Sequence, residues 1–497
     1  MLPLLLAATS LLAPTVAVAS QPRSAVVAGG DGIIRAPVNA IAGGPLPKLR
    51  ARQNKVDVAN QKGGTRYAVD IEVGTPAQKL TLILDTGSPD TWINPACDTA
   101  NVPADCRTFS RFDATKSSSL KDTGVGDVLV YGIGNATVEY VYETLKIGSA
   151  KITNQVVGIA VESHNIPLGI LGMSPPVNGV NEYSYVLDTM KAQGLIKSRA
   201  FSLDLRGVDN PNGALIFGGI DTGKYIGSLA KLPMLSQANT PSGADRYYVT
   251  MTGVGVTLPD GTMAKSETLS VPVFLDSGAT FSHLPTPIYQ AFAASFSNTQ
   301  YDPESGYYYV PCGVTELDGS VDFYFGGKTI RVPLNDFIWQ VQGRCILGVL
   351  PNDEEPTLGD TFLRAAYVVF DQDNREIHIA QAADCGTNLV AIGSGANPVP
   401  SSTGQCTALP TPTNTGKGDN LDVTATRVPS NTFTGTAPTG VGLGPGPAQS
   451  KTMSATLGSA PQATGAGGAG KSGVGRVEVG GVAAVVVGVV NMAVMMV

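Results

Sequence analysis

Along most of the chain the apolar positions come in short runs of Val, Ile, Leu, Tyr and Thr, each bounded by Gly, Pro, Asn or Asp. That punctuation predicts strands and turns rather than long helices. The segment RYAVDIEVG shows the period most plainly. Tyr67, Val69, Ile71 and Val73 alternate with Ala68, Asp70 and Glu72, the two-residue repeat of a half-buried strand. TLPDGTM, near residue 260, reads as a hairpin turn through Asp260 and Gly261. Short helices are predicted over Tyr183 to Ala192, ahead of Gly194, and over Pro287 to Phe296, with the proline in the first turn.

Two apolar runs end in a carboxylate. LTLILDTGSPDTW, residues 80 to 92, sets its apolar stretch directly against Asp85, and VPVFLDSGATFSHL, residues 271 to 284, repeats the pattern with Asp276. An unpaired buried charge costs several kcal/mol or is forced to take up a proton, so each aspartate calls for a partner. A single Asp-Thr-Gly match is most often a surface turn. Here both copies follow apolar strands, which predicts two similar half-structures whose turns meet in the interior. Gly87 and Gly278 let the loops approach closely, and Thr86 and Ser277 offer hydroxyls to tie one loop to the other. Two carboxylates within hydrogen-bond reach share one proton over a range of acidic pH, which places an acid and a base at one spot. A water between them is deprotonated by one carboxylate while the other protonates or polarises a carbonyl.

Composition narrows the alternatives. The 497 residues exceed one typical domain and fit two lobes, and 59 Gly, 34 Pro and 15% charged residues suit a strand-and-turn protein. A net charge of −7 argues against an extended nucleic-acid-binding face. His164, His283 and His378 stand far apart, in no metal-ligand spacing and beside no nucleophile motif, so zinc hydrolysis and a serine triad lose ground and neither metal nor cofactor is expected.

Residues 1–20 read as a secretory signal, with Ala17 and Ala19 ahead of Ser20 and with Pro3 and Pro14 opposing a buried helix. Residues 21–61 carry Arg23, Arg35, Lys48, Arg50, Arg52 and Lys55 against Asp31 and Asp57. A basic leader on an acidic chain is either an intramolecular mask, paired with carboxylates until they protonate, or a disordered linker. Cleavage near PKLRAR, residues 47 to 52, would free the strand beginning near Tyr67. Two lobes follow, 62–230 and 231–386. Residues 387–478 are rich in Ser, Thr, Pro and Gly and read as a flexible, O-glycosylated stalk. Residues 479–497 form an apolar tail; with the small residues at 465 to 470 and the short spacer between, they match a GPI-anchor signal better than a retained membrane helix. Six cysteines fit an oxidising compartment. Cys97 with Cys106 would close a short loop, Cys312 with Cys345 a longer one, and Cys385 with Cys406 is left by subtraction; the sequence alone leaves the connectivity open.

These motifs together resemble the pepsin-type aspartic proteases, over about residues 65 to 385. DIEVGTPAQKLTLILDTGSPDTWI is similar to the family's first lobe, with Trp92 behind the flap, and VYGIGNATVEYVYETLKIG to its flap hairpin, with Tyr131 as the flap tyrosine. LGILGM, ALIFGGID, FLDSGAT and TLGDTFLRAAYVVFD extend the match. The resemblance implies an all-β, bilobal, pseudo-symmetric fold with a few short helices, a cleft for an extended peptide, and endopeptidase activity at acidic pH. It makes Asp85 and Asp276 the catalytic pair, with support from Thr86, Gly87, Ser88, Ser277, Gly278 and Thr280. Tyr131, Gly132, Gly134, Trp92 and Ile83 become flap and substrate residues, and the pairs Cys97 with Cys106 and Cys312 with Cys345 fall where the family places bridges. The segment GIAVESHNIPLGILG, the wording DSGATFSHLP and the anchor look most like fungal yapsins and candidapepsin-type enzymes.

The departures matter. Between Gly158 and Gly169 the chain is shorter than pepsin and lacks the aromatic residues that wall the main specificity pocket there. Yapsins prefer basic residues, and Asp90 and Glu162 are candidates to face such a substrate, although reading both as solvated surface acids comes first. Ala279 stands where many relatives have Thr, which predicts a working pH shifted upward. Thr357 replaces the usual apolar residue before LGD. Asn135 opens the sequon NAT on the flap, read either as glycosylated or as left bare by tight hairpin geometry. The expected partners are a peptide or protein substrate, the chain's own leader and a membrane reached through the lipid, for a monomer at the cell surface or cell wall, or secreted after release. Against this acid endopeptidase stand two other readings: a catalytically silent pepsin-like binding fold and a cell-wall structural protein.

Overall fold

The computed structural model describes residues 32–42, 65–93, 97–98, 106–132, 134–179, 182–206, 213–257, 263–265, 269–296, 298–303, 305–341 and 343–407. The chain is mostly β, with a few short helices. The predicted strand forms as Thr65–Val73, with Tyr67, Val69, Ile71 and Val73 buried and Asp70 exposed. Its antiparallel neighbour is Gln78–Asp85, which on its other side runs parallel to Gly169–Gly172, Asp85 aligning with Gly172. The second aspartate is reached by the same plan. Val271–Leu275 lies antiparallel to Tyr248–Met251 and parallel to Thr357–Leu358, Leu275 aligning with Leu358. A strand flanked by one antiparallel and one parallel partner is buried on both edges, which accounts for the unbroken apolar runs LTLIL and VPVFL.

Thirteen described strands share one sheet that joins the two halves. Late in the chain, Ala366–Asp371 and Glu376–Ala382 pair with each other, and the first of them pairs with Ala200–Asp204 from the first half. The far end of this sheet carries the flap hairpin, Lys121–Tyr131 with Gly134–Ile147, and the third strand Ala150–His164.

Two segments read from composition are built into this body. Ile34–Ala42, inside the 21–61 leader, is a strand between Gly213–Phe217 and Thr65–Val73, antiparallel to both. Ile34, Ala36 and Val38 are buried while Arg35, Pro37 and Asn39 are half-buried, a period of two that the basic charge of the segment overshadowed. Downstream of Gly386, Leu389–Ala391 pairs with Gly219–Asp221, and Ile392 and Val399 pack with Tyr225 and Tyr367. The folded body thus continues to residue 407, and of the expected stalk 408–478 lies outside the described residues, as do the signal 1–20, the processing segment 47–52 and the tail 479–497.

The helices are shorter than their predicted spans, Val186–Ala192 and Thr286–Ala293. The first starts after Tyr185, whose N–H donates to Asp188 at 3.0 Å. The strands expected beside the turn at 260, Gly253–Thr257 and Met263–Lys265, pair antiparallel; Asp260 and Gly261 lie outside the described residues. Among the described residues no helix is long and apolar enough to cross a membrane.

Candidate active site

Asp85 and Asp276 end their strands in the interior, each 6% exposed. The ladders carry on past them: Met173 N–H donates to Asp85 O at 2.8 Å and Asp276 N–H to Leu358 O at 3.1 Å. The two turns are cross-bonded by their hydroxyl residues. Thr86 N–H donates to Ser277 Oγ at 3.1 Å and Ser277 N–H to Thr86 Oγ1 at 2.9 Å, while Thr86 Oγ1 donates to Leu275 O and Ser277 Oγ to Leu84 O, both at 2.8 Å. Each hydroxyl therefore accepts from the opposite loop and donates to a strand of the opposite half, so neither turn can shift without breaking bonds to its counterpart.

Inside this lock the carboxyls meet. Asp85 Oδ1 accepts from Gly87 N–H at 2.8 Å and its Oδ2 from Ser88 Oγ; Asp276 Oδ1 accepts from Gly278 N–H at 2.7 Å. A methyl carbon on Gly87 would fall 2.7 Å from the Asp276 carboxyl, and one on Gly278 2.6 Å from Asp85 Oδ1. Burial pushes the Asp85 carboxyl up, opposed by the donors Ser88 and Gly87. Burial pushes Asp276 well up, and the Asp85 charge pushes it further, opposed by Gly278. The imbalance follows from the sequence: where the first loop has Ser88, the second has Ala279. The side-chain donor favours charge on Asp85 and leaves the shared proton on Asp276.

Tyr131, half-buried on the flap, accepts a hydrogen bond from Trp92 Nε1 at 2.8 Å, and its hydroxyl contacts Ser88. A chain of polar contacts thus runs from Trp92 through Tyr131 and Ser88 to Asp85. Trp92 is fully buried in an apolar cluster with Ile83, Leu168 and Ile170. Gly132 and Gly134 flank the flap tip, half-buried; a methyl carbon on Gly134 would collide with His164 O. Thr280 is buried, and its carbonyl accepts from Thr361 N–H at 3.2 Å. Asn135 lies half-buried on the flap, aligned with Val130 and with His164. Thr357 is accommodated because its hydroxyl donates to Glu355 O at 2.9 Å.

Asp90 differs from its reading as a solvated acid. It accepts from Tyr183 OH at 2.5 Å and Tyr140 OH at 3.2 Å, and burial raises its proton affinity. Tyr183 in turn packs against Tyr140 and Tyr185, with ring centroids 5.3 and 4.6 Å apart. Glu162 is exposed, 3.0 Å from His164 Nε2. Asp360, of the TLGD segment, was not singled out. It is 1% exposed, donates its N–H to Ala279 O at 2.8 Å, and is pushed well up by burial, with Arg364 opposing and the Asp276 charge adding. The disulfides are Cys97–Cys106, Cys312–Cys345 and Cys385–Cys406. Away from the two aspartates, Asp371, Glu376 and His378 cluster on one hairpin, but Lys231 already holds Glu376 at 2.5 Å and Asn374 donates to Asp371.

A two-halved β protein with a cross-bonded aspartate pair under a hairpin flap is the architecture of an acid protease. Comparison with known proteins agrees. The profile described as "Eukaryotic aspartyl protease" matches residues 66–382, and the chain belongs to that family. "Probable aspartic-type endopeptidase opsB" of Aspergillus fumigatus is 32% identical over 73% of this chain and 79% of its own length. "Aspartic proteinase yapsin-3" of Saccharomyces cerevisiae is 33% identical over 74% and 76%. The crystal structure of an aspartic proteinase from Irpex lacteus superposes with a TM-score of 0.54 at 20% identity, covering 71% of this chain and 98% of that one, and shows the same fold. The chain is an aspartic endopeptidase, and its three disulfides are those of a protein matured in the oxidising secretory pathway.

Proposed function

We propose that the chain hydrolyses peptide bonds of secreted or cell-surface proteins at acidic pH by a water held between Asp85 and Asp276. The observation that carries this reading is the lock of Thr86 and Ser277, which keeps two buried carboxyls in one hydrogen-bonded site. Ionised Asp85 takes a proton from the water as its oxygen bonds to the scissile carbonyl carbon, while protonated Asp276 gives its proton to the carbonyl oxygen. The tetrahedral diol then collapses: the amide nitrogen receives the proton held on Asp85, the C–N bond breaks, and the diol returns a proton to Asp276. Amine and carboxylic acid leave with the pair restored. Tyr131, tied to Trp92 and Ser88, positions the flap over the peptide.

The leader acts as an intramolecular partner, and the buried strand Ile34–Ala42 supports its close association with the body. The tail at 479–497 serves as a GPI signal, which release by a GPI-cleaving phospholipase tests; protein kept in the membrane fraction after treatment overturns it. Asn135 carries an N-glycan, tested by a mobility change on enzymatic deglycosylation. The primary test is cleavage of a mixed peptide library between pH 3 and 6 by the secreted form, with and without pepstatin. Cleavage blocked by pepstatin is expected; cleavage indifferent to it, or none after leader removal, overturns the reading.

A further inference from the structure

The segment that follows Asp85 meets the flap at two points. At the tip, Trp92 Nε1 donates to Tyr131 OH at 2.8 Å. Two residues before Trp92, Asp90 Oδ1 accepts from Tyr140 OH at 3.2 Å, and Tyr140 lies in mid-hairpin on the return strand Gly134–Ile147, opposite Val125. Tyr140 stands six positions beyond Gly134, the partner of Tyr131, so the two bonds hold the hairpin about 20 Å apart along its length. The backbone ladder from this strand to Ala150–His164 is bulged between Thr137 and Val138, which is where such a sheet bends, and Tyr140 lies on the body side of that bulge. The segment carrying Asp90 is fixed in the body. Ser174 N–H donates to Ser88 O at 3.1 Å, Trp92 aligns with Gly158 and Ile170, and a methyl carbon on Gly172 would fall 2.5 Å from Asp90 O. The carboxylate is fixed as well, because Tyr183, outside the flap, donates to the same Oδ1 at 2.5 Å while its ring packs on Tyr140 and Tyr185. Of the two hydroxyl bonds, the one to the flap is the longer and so the weaker.

We propose that Asp90 is a positioning residue for the hydrolysis: through Tyr140 it fixes the base of the flap on the body side of the bulge, so that the tip carrying Tyr131 closes over the peptide from a set point. The inference rests on the reading of this hairpin as the flap of a two-aspartate peptidase. One short stretch of chain thereby holds three parts of the site, the Asp85 carboxyl through Ser88, the base of the flap through Asp90 and its tip through Trp92. The outer edge of the hairpin faces solvent, with Val125, Val128 and Val130 exposed, and its inner face, with Ala136, Val138 and Tyr140, packs with Ile83 and Ile170. Apolar packing of that kind has no direction, whereas the Tyr140 hydroxyl bond fixes where along the cluster the base rests. Without that bond the free enzyme has its flap correctly placed a smaller fraction of the time, and the apparent affinity for a peptide falls by that fraction. The chemical step, set by the aspartates, is unchanged.

The test compares wild type, Tyr140→Phe, Asp90→Ala and the double variant in kcat and KM on a library peptide, in pepstatin affinity, and in hydrogen–deuterium exchange of the flap strands Lys121–Tyr131 and Gly134–Ile147 in the free enzyme. Tyr140→Phe keeps the ring and deletes one hydroxyl. It is expected to raise KM and the pepstatin Kd about fivefold, to leave kcat within about twofold, and to speed flap exchange about fivefold. The double variant should match Asp90→Ala alone, since both changes remove one contact; additive effects on KM overturn the inference. A merely structural role would lower the melting temperature while leaving the pepstatin affinity and flap exchange of the folded protein at wild-type values. That result in Tyr140→Phe, or a fall in kcat with KM unchanged, also overturns it. If Asp90→Ala does not fold, the near-isosteric Tyr140→Phe decides alone. An Asp276→Asn control that still cleaves would refute the two-aspartate reading instead, so the two failures are distinguishable.

Discussion

At the scale of single residues the site is defined by what cannot be added to it. Gly87 and Gly278 each face the opposite aspartate at a distance where any Cβ must displace a carboxyl. Gly87→Ala and Gly278→Ala are expected to lower kcat/KM by about 100-fold or more, because displacing a reacting group by about 1 Å costs that much. They should destabilise by about 1–3 kcal/mol, and steady-state kinetics with thermal melts would check both. The Ser88 hydroxyl holds the Asp85 proton affinity down. Ser88→Ala should therefore move the acid limb of the pH profile upward, since Asp85 must now lose its proton at higher pH to act as base; an unmoved limb would count against the assignment of base and acid. The two aspartates and their cross-bonding hydroxyls were legible because the strand-turn motif occurs twice. Asp90 was misread, because the tyrosines that bury it lie 50 and 93 residues away and only the folded chain brings them to it.

Elements show where sequence patterns suffice and where they compete. The strand at Tyr67 was legible from its alternation, whereas Ile34–Ala42 carries the same period in a segment whose charge and glycines drew the reading toward a leader. The first helix starts later than its pattern suggests because Tyr183, which looks like continuing helix, instead turns its hydroxyl to Asp90 and packs its ring on Tyr185. The strand Ser282–Leu284 holds a group that matters in acid. His283 is 0% exposed, neither ring nitrogen has a hydrogen-bond partner, and burial pushes its pKa down to about 4. The unfolded chain binds this proton below about pH 6.5 and the folded chain only near 4, so stability falls as pH drops through that window, by about 3 kcal/mol in all. His283→Leu removes this loss. Urea unfolding at pH 6.5 and 4.5 should show a smaller drop in the variant than in wild type; equal drops would contradict the burial argument.

For the whole molecule, one sheet joins the halves, while each of the three disulfides closes a loop within one half or within the C-terminal segment. Composition suggested that the body ends near Gly386, since the residues that follow are small and polar; the few exceptions, Ile392 and Val399, are buried, and Cys406 ties the segment back to Cys385. A chain ended after residue 407 should keep the full melting temperature and activity. Ending it after 386 removes the bridge and both apolar anchors, and should cost roughly 2–5 kcal/mol, read as a lowered melting temperature. The family, the fold class and the reaction were legible because several motifs stand in order along the chain; the electrostatic setting of the pair was not, because the motif that contains Asp360 does not announce that the fold buries this carboxyl within reach of the Asp276 charge.

The central claim is that Asp85 and Asp276 act as one unit on one water. Its most direct test is kcat/KM for Asp85→Asn and Asp276→Asn on the best library peptide between pH 3 and 6, in proteins whose melting shows that they fold. Each variant is predicted to lose about a thousandfold or more at every pH. Either variant retaining activity within tenfold of wild type would contradict the account.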